Sequence, residues 1–368
     1  MPPDAPHNDE TEFSIDHIPG VNPIVLKNGD LLQEDGHRIA NIFEESADHI
    51  PQESSIALAT RALRQAGYGL LHIPGKLVTL RSLSNTKKPH DREYVRMRNE
   101  KARAFVEDFL GRFVSEESEI HGTENLAQTM EENRTGKPVL MMGNHGSELD
   151  PVLASILLKR EYANQHNGNE LLADSAAEAR EKLLAVIGHK VMLEKFRRTF
   201  SGAVHSLFTI ATKYRENLPE EEKGVVSAYL DNVNTILREL VTHPEYLVML
   251  FPEGGRTRNN QIGMQMGVIR AAFGKIIQPT FIEAPPNFLE LEQGEKMKFT
   301  PEPVNIYFGK AFTAGSQSTR TGMTDFVNAF RDSLAEVGAP VDKYEWGVMQ
   351  RTKKNGTDPR ELQFHGIV

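Results

Sequence analysis

Residues 138–159, PVLMMGNHGSELDPVLASILLK, read as a strand, a polar loop and the start of a helix. The apolar run 139–142 is short and uninterrupted, which is typical of a strand buried on both faces. Pro151 follows the loop and opens a second apolar stretch, because proline is favoured in the first turn of a helix. A strand that passes through a short loop into a helix indicates an α/β sheet.

The same alternation of strands and helices continues from Gly122 onward. Strands are predicted at residues 139–142, 185–187, 207–211, 246–251, 275–283 and 304–308, and helices at residues 126–132, 151–159, 170–184, 225–241, 268–273 and 324–337. This order predicts an α/β fold in which helices flank a mixed sheet.

The pattern divides the chain into four predicted regions. Residues 1–53 are polar and lack periodicity, so we expect a poorly ordered arm. Residues 54–121 form a smaller N-terminal helical region, in which apolar residues recur at helical spacing from Ser54 onward. Gly67, Gly69 and Pro74 are predicted to end its first helix. Residues 122–345 form the α/β domain, and residues 346–368 are predicted to be a polar C-terminal tail.

Composition excludes several classes of protein. The 368 residues carry a formal net charge of −9, which argues against bulk binding of nucleic acid. The chain contains no cysteine, so a disulfide scaffold, a thiolate nucleophile and a cysteine metal site are excluded. No apolar run approaches the roughly 18 residues that span a bilayer. We therefore expect a cytoplasmic location, either soluble or peripheral on the inner membrane face.

His145 and Asp150 follow the strand at 139–142, where ligands of open α/β sheets bind. A histidine acts as a general base near neutral pH, and a carboxylate on its second nitrogen fixes the tautomer. With no cysteine and no Gly-x-Ser-x-Gly elbow, this pair would activate a hydroxyl of the substrate. Backbone N–H groups of the turn at 143–147, or of the helix that opens at Pro151, are candidate oxyanion donors. An alternative remains open in which both residues are structural: His145 would hold the loop in place by a hydrogen bond, and Asp150 would cap the helix.

The ligands of a metal site are missing around this motif. The Gly-Asn-His run resembles metallophosphatases, in which further acidic and histidine ligands precede it. Residues 35–37 read Asp-Gly-His, but no Gly-Asp follows before Gly143, and Gly188-His189 lacks a second histidine two residues on. The sequence therefore predicts neither a metal nor a cofactor.

A second motif, FPEGGRTRN at residues 251–259, follows the apolar run YLVML. Gly254 and Gly255 permit a tight turn, and Arg256 and Arg258 come directly after it. Two guanidinium groups on such a turn suit bidentate binding of a phosphate.

Together the two motifs resemble the glycerolipid acyltransferase superfamily. Its blocks are Asn-His-x-x-x-x-Asp, matched by Asn144 to Asp150, and Phe-Pro-Glu-Gly-x-Arg-x-Arg, matched by residues 251–258. Residues 188–219 are also similar to the soluble plastid-type glycerol-3-phosphate acyltransferases. They differ in reading Lys213-Tyr214 for a Lys-His pair and Lys190 for an arginine.

The resemblance implies a reaction and a set of roles. A fatty acyl group would pass from acyl carrier protein or acyl-CoA to the sn-1 hydroxyl of glycerol 3-phosphate, without an acyl-enzyme. His145 would be the base and Asp150 its orienting partner. The resemblance implies that the phosphate is held by Arg256, Arg258, Lys213 and Lys190, with support from Asn144, Gly254, Gly255 and Tyr214.

Two alternatives remain open at this stage. The Phe-Pro-Glu start is closer to lysophosphatidate acyltransferases, so an sn-2 acyltransferase is the second candidate. A non-catalytic module that binds phospholipid or acyl carrier protein is the third.

A cluster of basic residues raises the question of a partner. Nine lysines and arginines lie in residues 76–103, beside phenylalanines at 105, 109 and 113. An acidic carrier protein or an anionic membrane surface would suit them. The alternative is that the basic residues only face solvent and that the phenylalanines face the core.

Overall fold

The computed structural model describes residues 55–84, 94–165, 168–188, 191, 199–210, 218–254, 257, 260–285, 301–315, 320–352 and 361–367. The predicted arm over residues 1–53 lies outside this part of the chain.

The helices, numbered along the described chain, are α1 Ser55–Gln65, α2 Ile73–Ser84, α3 Glu100–Leu110, α4 Thr123–Arg134, α5 Asp150–Gln165, α6 Glu170–Lys182, α7 Glu220–Thr242, α8 Met266–Ala272 and α9 Arg320–Ala335. The strands are β1 Val95–Arg96, β2 Ile120–His121, β3 Val139–Gly143, β4 Leu183–Gly188, β5 His205–Thr209, β6 Leu247–Leu250, β7 Gln261–Gln265, β8 Ile276–Glu283, β9 Asn305–Phe308, β10 Phe312–Thr313, β11 Glu345–Thr352 and β12 Glu361–Gly366.

The main sheet is mixed, with the strand order β1-β5-β4-β6-β3-β8-β9-β2 and β10 paired with β8. Its centre, β5-β4-β6-β3-β8, is parallel, and β1, β9 and β10 add antiparallel pairs. The predicted α/β fold with a mixed sheet flanked by helices is confirmed. Each strand and helix predicted after Gly122 overlaps an observed element.

Helices cover both faces of the sheet. Leu140 and Met142 of β3 pack in a core with α7 and α9, whereas Val139 and Met141 face a second core with α3 and α5. The phenylalanine stripe of α3 lies in this second core, so it is buried rather than offered to a partner. The N-terminal helices therefore share a core with the sheet.

The C-terminal residues depart from the prediction. β11 pairs antiparallel with β12 and parallel with β7, which makes a separate three-stranded sheet. Trp346 and Val348 alternate into the core and are each only 4% exposed. The polar tail predicted from residue 346 is therefore wrong for the described residues, because alternate apolar side chains make this segment a half-buried strand.

The boundary between the first two N-terminal helices also differs from the prediction. The sequence predicts that Gly67, Gly69 and Pro74 end one helix, but α1 already ends at Gln65 and Pro74 is the second residue of α2. Proline is tolerated in the first turn, where its missing N–H has no intrahelical partner. None of the helices in the described ranges has the length and apolar character needed to cross a membrane.

Candidate active site

The two motifs begin at the same edge of the sheet. Strands β3 and β6 are parallel neighbours, and Met142 pairs in register with Leu250. Their carboxyl ends therefore deliver His145 and Glu253 to one side of the sheet, at the position where α/β proteins bind ligands.

His145 and Asp150 form a hydrogen-bonded pair. His145 Nδ1 lies 3.1 Å from Asp150 Oδ2, and the Asp150 side chain is fully buried while that of His145 is 20% exposed. Asp150 is the first residue of α5, and its carboxylate also accepts from the N–H of Ser147 at 3.0 Å. The loop thus closes on itself through Asp150, and Nε2 of His145 is the nitrogen left for a substrate.

The electrostatics favour a basic imidazole. Burial lowers the pKa of His145, but the hydrogen bond and negative charge of Asp150 outweigh it, so the pKa is raised above its usual value. Burial also raises the pKa of Asp150, against the opposing effects of His145 and of the backbone donors at Ser147 and Gly146. A carboxylate held by these donors keeps the Nδ1 proton on the imidazole.

The second motif contacts His145 directly. Glu253 Oε1 accepts from the His145 backbone N–H at 2.9 Å and from Thr257 Oγ1 at 2.9 Å. The Thr257 N–H donates to the His145 carbonyl at 2.7 Å, and the Phe251 ring stacks on the imidazole with centroids 4.4 Å apart. The loop that follows β3 (the base loop, residues 144–149) is therefore joined to the second motif by two hydrogen bonds and a ring stack, and a third hydrogen bond links Glu253 to Thr257 within that motif.

Glu253 is a site residue that the sequence analysis did not identify. Burial is the main cause that raises its pKa, to about 7, and the donors at His145 and Thr257 oppose that rise. In the sequence it contributes only to the resemblance, as part of the Phe-Pro-Glu start. An acidic residue that closely follows a buried strand and directly precedes two glycines is the signal that would have identified it.

Gly254 and Asn144 have structural roles that explain their place in the motifs. Gly254 has a positive φ of 63°, and a Cβ there would lie 1.9 Å from Nε2 of Gln265. Gln265 Nε2 donates to the Glu253 carbonyl at 2.9 Å. Asn144 exchanges two hydrogen bonds with the backbone of Ile282, at 2.8 and 2.9 Å, and so fastens the base loop to β8.

The backbone of the base loop is already engaged. The N–H of His145 donates to Glu253, and that of Ser147 donates to Asp150. These two candidate oxyanion donors instead hold the two carboxylates in this arrangement.

The remaining predicted site residues, Lys190, Lys213, Tyr214, Gly255, Arg256 and Arg258, lie outside the described residues. The phosphate clamp therefore stays a prediction. Within the described ranges, no group of three or more histidine and acidic residues is arranged to hold a metal ion.

The basic region is largely paired where it is described. Arg98 and Arg103 both bind Glu181, and Lys76 lies 2.9 Å from Asp108. Lys87, Lys88 and Arg92 lie outside the described residues. Acidic side chains thus pair with Arg98, Arg103 and Lys76, and the predicted partner of the basic region stays a prediction.

A comparison with known families finds a similarity in the segment around this site. Residues 117–283 match the family model described as Acyltransferase, and both strand-end motifs fall within the matched segment. The matched segment is therefore similar to acyltransferases, and it contains His145, Asp150 and Glu253. A search of curated proteins found none that matches the chain.

Proposed function

We propose that the protein is a glycerol-3-phosphate O-acyltransferase. It moves a fatty acyl group from an acyl thioester to the sn-1 hydroxyl of glycerol 3-phosphate and makes lysophosphatidate. The observation that carries this proposal is the His145–Asp150 pair, with Nε2 left for the acceptor and the second motif bound to the same loop.

In the proposed mechanism, Nε2 of His145 takes the proton of the acceptor hydroxyl. The hydroxyl oxygen forms a bond to the thioester carbonyl carbon, the carbon–sulfur bond breaks, and the leaving thiolate takes the proton from the imidazolium. Asp150 stabilises the imidazolium and holds the Nδ1 proton. General-base catalysis of this kind contributes roughly 10²–10⁴-fold.

The reaction proceeds without an acyl-enzyme. Two hydroxyl groups in the site support this step of the proposal. Ser147 is buried and its Oγ accepts from the Leu149 N–H at 3.1 Å, and Thr257 Oγ1 donates to Glu253. Both hydroxyls are engaged in holding the loops, so the acceptor supplies the nucleophile.

The phosphate of the acceptor is bound by Arg256, Arg258, Lys213 and Lys190, with Gly255 and Tyr214 in support. Thr257 stands between the two arginines in the sequence, and its N–H contacts the His145 carbonyl. This contact supports the proposal, because it ties the arginine loop to the base. Fixing the acceptor in this way would supply about 7–11 kcal/mol of barrier lowering.

An acceptor and donor panel tests the proposal. Purified protein is assayed with glycerol 3-phosphate or lysophosphatidate as acceptor and with acyl-CoA or acyl carrier protein as donor. We expect saturation by glycerol 3-phosphate and formation of the sn-1 ester. Saturation by lysophosphatidate alone would establish the sn-2 alternative, and binding without turnover on any pair would establish the non-catalytic module.

The base assignment has its own variant and control. We expect His145→Ala to lose about 10²–10⁴-fold in kcat, with an unchanged melting temperature. His243→Ala is the matched control, because His243 precedes β6 and so lies at the opposite edge of the sheet. Wild-type kcat in His145→Ala would reject the base.

A further inference from the structure

The hairpin of α1 and α2 exposes large apolar side chains that the fold does not use. In the described ranges, Leu71 is 93% exposed, Leu70 is 72% exposed and Val78 is 69% exposed. All three fall within nine consecutive positions, whereas the other large exposed hydrophobic residues, Tyr162 and Leu171, lie on α5 and α6. A concentrated apolar patch of this kind marks a binding surface.

The hairpin that carries these side chains is itself firmly anchored. Tyr68, Ile73 and Leu80 are buried in the second core. Between them the Gly69 carbonyl accepts from the N–H groups of His72 and Ile73, at 2.8 and 3.3 Å. The leucine pair therefore projects from a fixed turn that is anchored on both sides.

The exposed apolar face continues along α2. Pro74, Val78 and Arg81 recur at helical spacing and are all exposed, and Leu71 precedes Pro74 by three positions. Residues at this spacing share one side of a helix. The face thus begins with leucine at the turn and ends with an arginine.

The charge of the hairpin is opposite to that of the whole chain. Residues 55–84 contain Arg61, Arg64, Lys76 and Arg81 and no acidic residue, while the chain carries a formal net charge of −9. Asp108, which pairs with Lys76, comes from α3. A basic segment with protruding leucines complements a surface that is anionic outside and apolar beneath.

We infer that the turn and outer face of α2, formed by Leu70, Leu71, Val78 and Arg81, dock the protein on an anionic lipid surface. Leu70 and Leu71 enter the acyl boundary and the basic side chains stay among the headgroups. The choice of lipid rests on the proposed function, because lysophosphatidate carries an acyl chain that partitions into a membrane. An acidic carrier protein would be recognised mainly through its charge. Such recognition would not explain why Leu71 is 93% exposed, whereas insertion into a lipid surface does.

Vesicle flotation tests this inference without any turnover. The full chain is floated with vesicles of phosphatidylglycerol and phosphatidylcholine, and with phosphatidylcholine alone, at low and high salt. The variant is Leu70→Ser with Leu71→Ser, and the matched control is Leu171→Ser, which changes an exposed leucine of α6. Circular dichroism and the melting temperature check that each variant folds.

We expect the wild type and Leu171→Ser to float with the anionic vesicles, and more weakly at high salt. The double variant should bind them at least about tenfold more weakly, with unchanged turnover of soluble substrates. A wild type that does not float, or a double variant that floats equally, would overturn the inference. So would leucine-dependent retention by acyl carrier protein without flotation, which would assign the surface to a protein partner.

Discussion

The carboxylate of Glu253 accepts the backbone N–H of His145 at 2.9 Å, across 108 positions of the chain. The same carboxylate binds the hydroxyl of Thr257. One half-buried acid therefore holds the loop of His145 to Thr257 of the second motif. Under the proposed function, Glu253 would couple binding of the acceptor to proton transfer at His145.

Replacing Asp150 by asparagine should impair the base while leaving the loop in place. We expect kcat/KM to fall by about 10²–10⁴-fold, because the imidazole loses the carboxylate that fixes its tautomer. Asp150 raises the pKa of His145, so the acid limb of the pH profile should also move to lower pH. The pH dependence of kcat/KM measures both changes. Asp332→Asn, on the exposed side of α9, is the control and should leave the profile unchanged.

Glu253→Gln should change how stability depends on pH. Burial raises the pKa of Glu253 to about 7, so between its ordinary value and about 7 the folded chain holds a proton that the unfolded chain has released. The free energy of unfolding of the wild type therefore falls as pH rises through this window. Glutamine keeps the acceptor oxygen and has no proton to release, so the variant lacks this fall. Urea unfolding at several pH values measures the difference, and parallel curves for the two proteins would contradict it.

Gly254→Ala should disturb the turn that leads to the arginines. A Cβ at this position would meet Gln265 Nε2 at 1.9 Å, and the φ of 63° disfavours any side chain. We expect a loss of about 1–3 kcal/mol in unfolding free energy and a raised KM for the acceptor. Urea unfolding and acceptor saturation curves measure the two effects.

Gly267→Ala provides the matched control for that turn. Gly267 lies in α8, where a Cβ would meet no atom within 4 Å, and its φ is not positive. We expect unchanged kinetics and a stability equal to or up to about 1 kcal/mol above the wild type. Equal effects of the two substitutions would argue against a strained turn at Gly254.

Glu107→Ala should strongly destabilise the fold. The buried Glu107 carboxylate binds Arg103, Lys159 and Arg180, so it joins α3, α5 and α6. Removing it breaks the buried ion pairs with Arg103 and Arg180 and leaves Glu181 of α6 as their main acidic partner, which costs up to about 3–5 kcal/mol. Chemical denaturation measures the loss. Glu100→Ala, which removes a side chain that is 68% exposed, should cost less than about 1 kcal/mol.

The elements that periodicity defines are predictable from the sequence. The strand at 139–142 and the helix after Pro151 follow from local apolar spacing. The structure has the strand at Val139–Gly143, whereas the helix predicted to end at residue 159 continues to Gln165. Pro74 is predicted to end a helix but lies in the first turn of α2. Proline is common both after the end of a helix and in the first turn of the next, so the sequence alone does not separate the two positions. The segment around Trp346 is predicted to be a tail but forms a strand. This strand pairs with β7, some 80 residues earlier in the chain, and pairing with so distant a segment leaves only a weak local signal in the sequence.

By itself the sequence determined the α/β class, the strand-end position of His145 and Asp150, and the two motifs that resemble those of acyltransferases. These are local properties, carried by residues a few positions apart. Only the tertiary structure decided that Glu253 and Thr257 bind the loop of His145 and that α3 turns its phenylalanines inward. It also decided that Leu70 and Leu71 face outward. Burial and hydrogen bonding between distant segments depend on how strands pair in space, and no local pattern records that pairing.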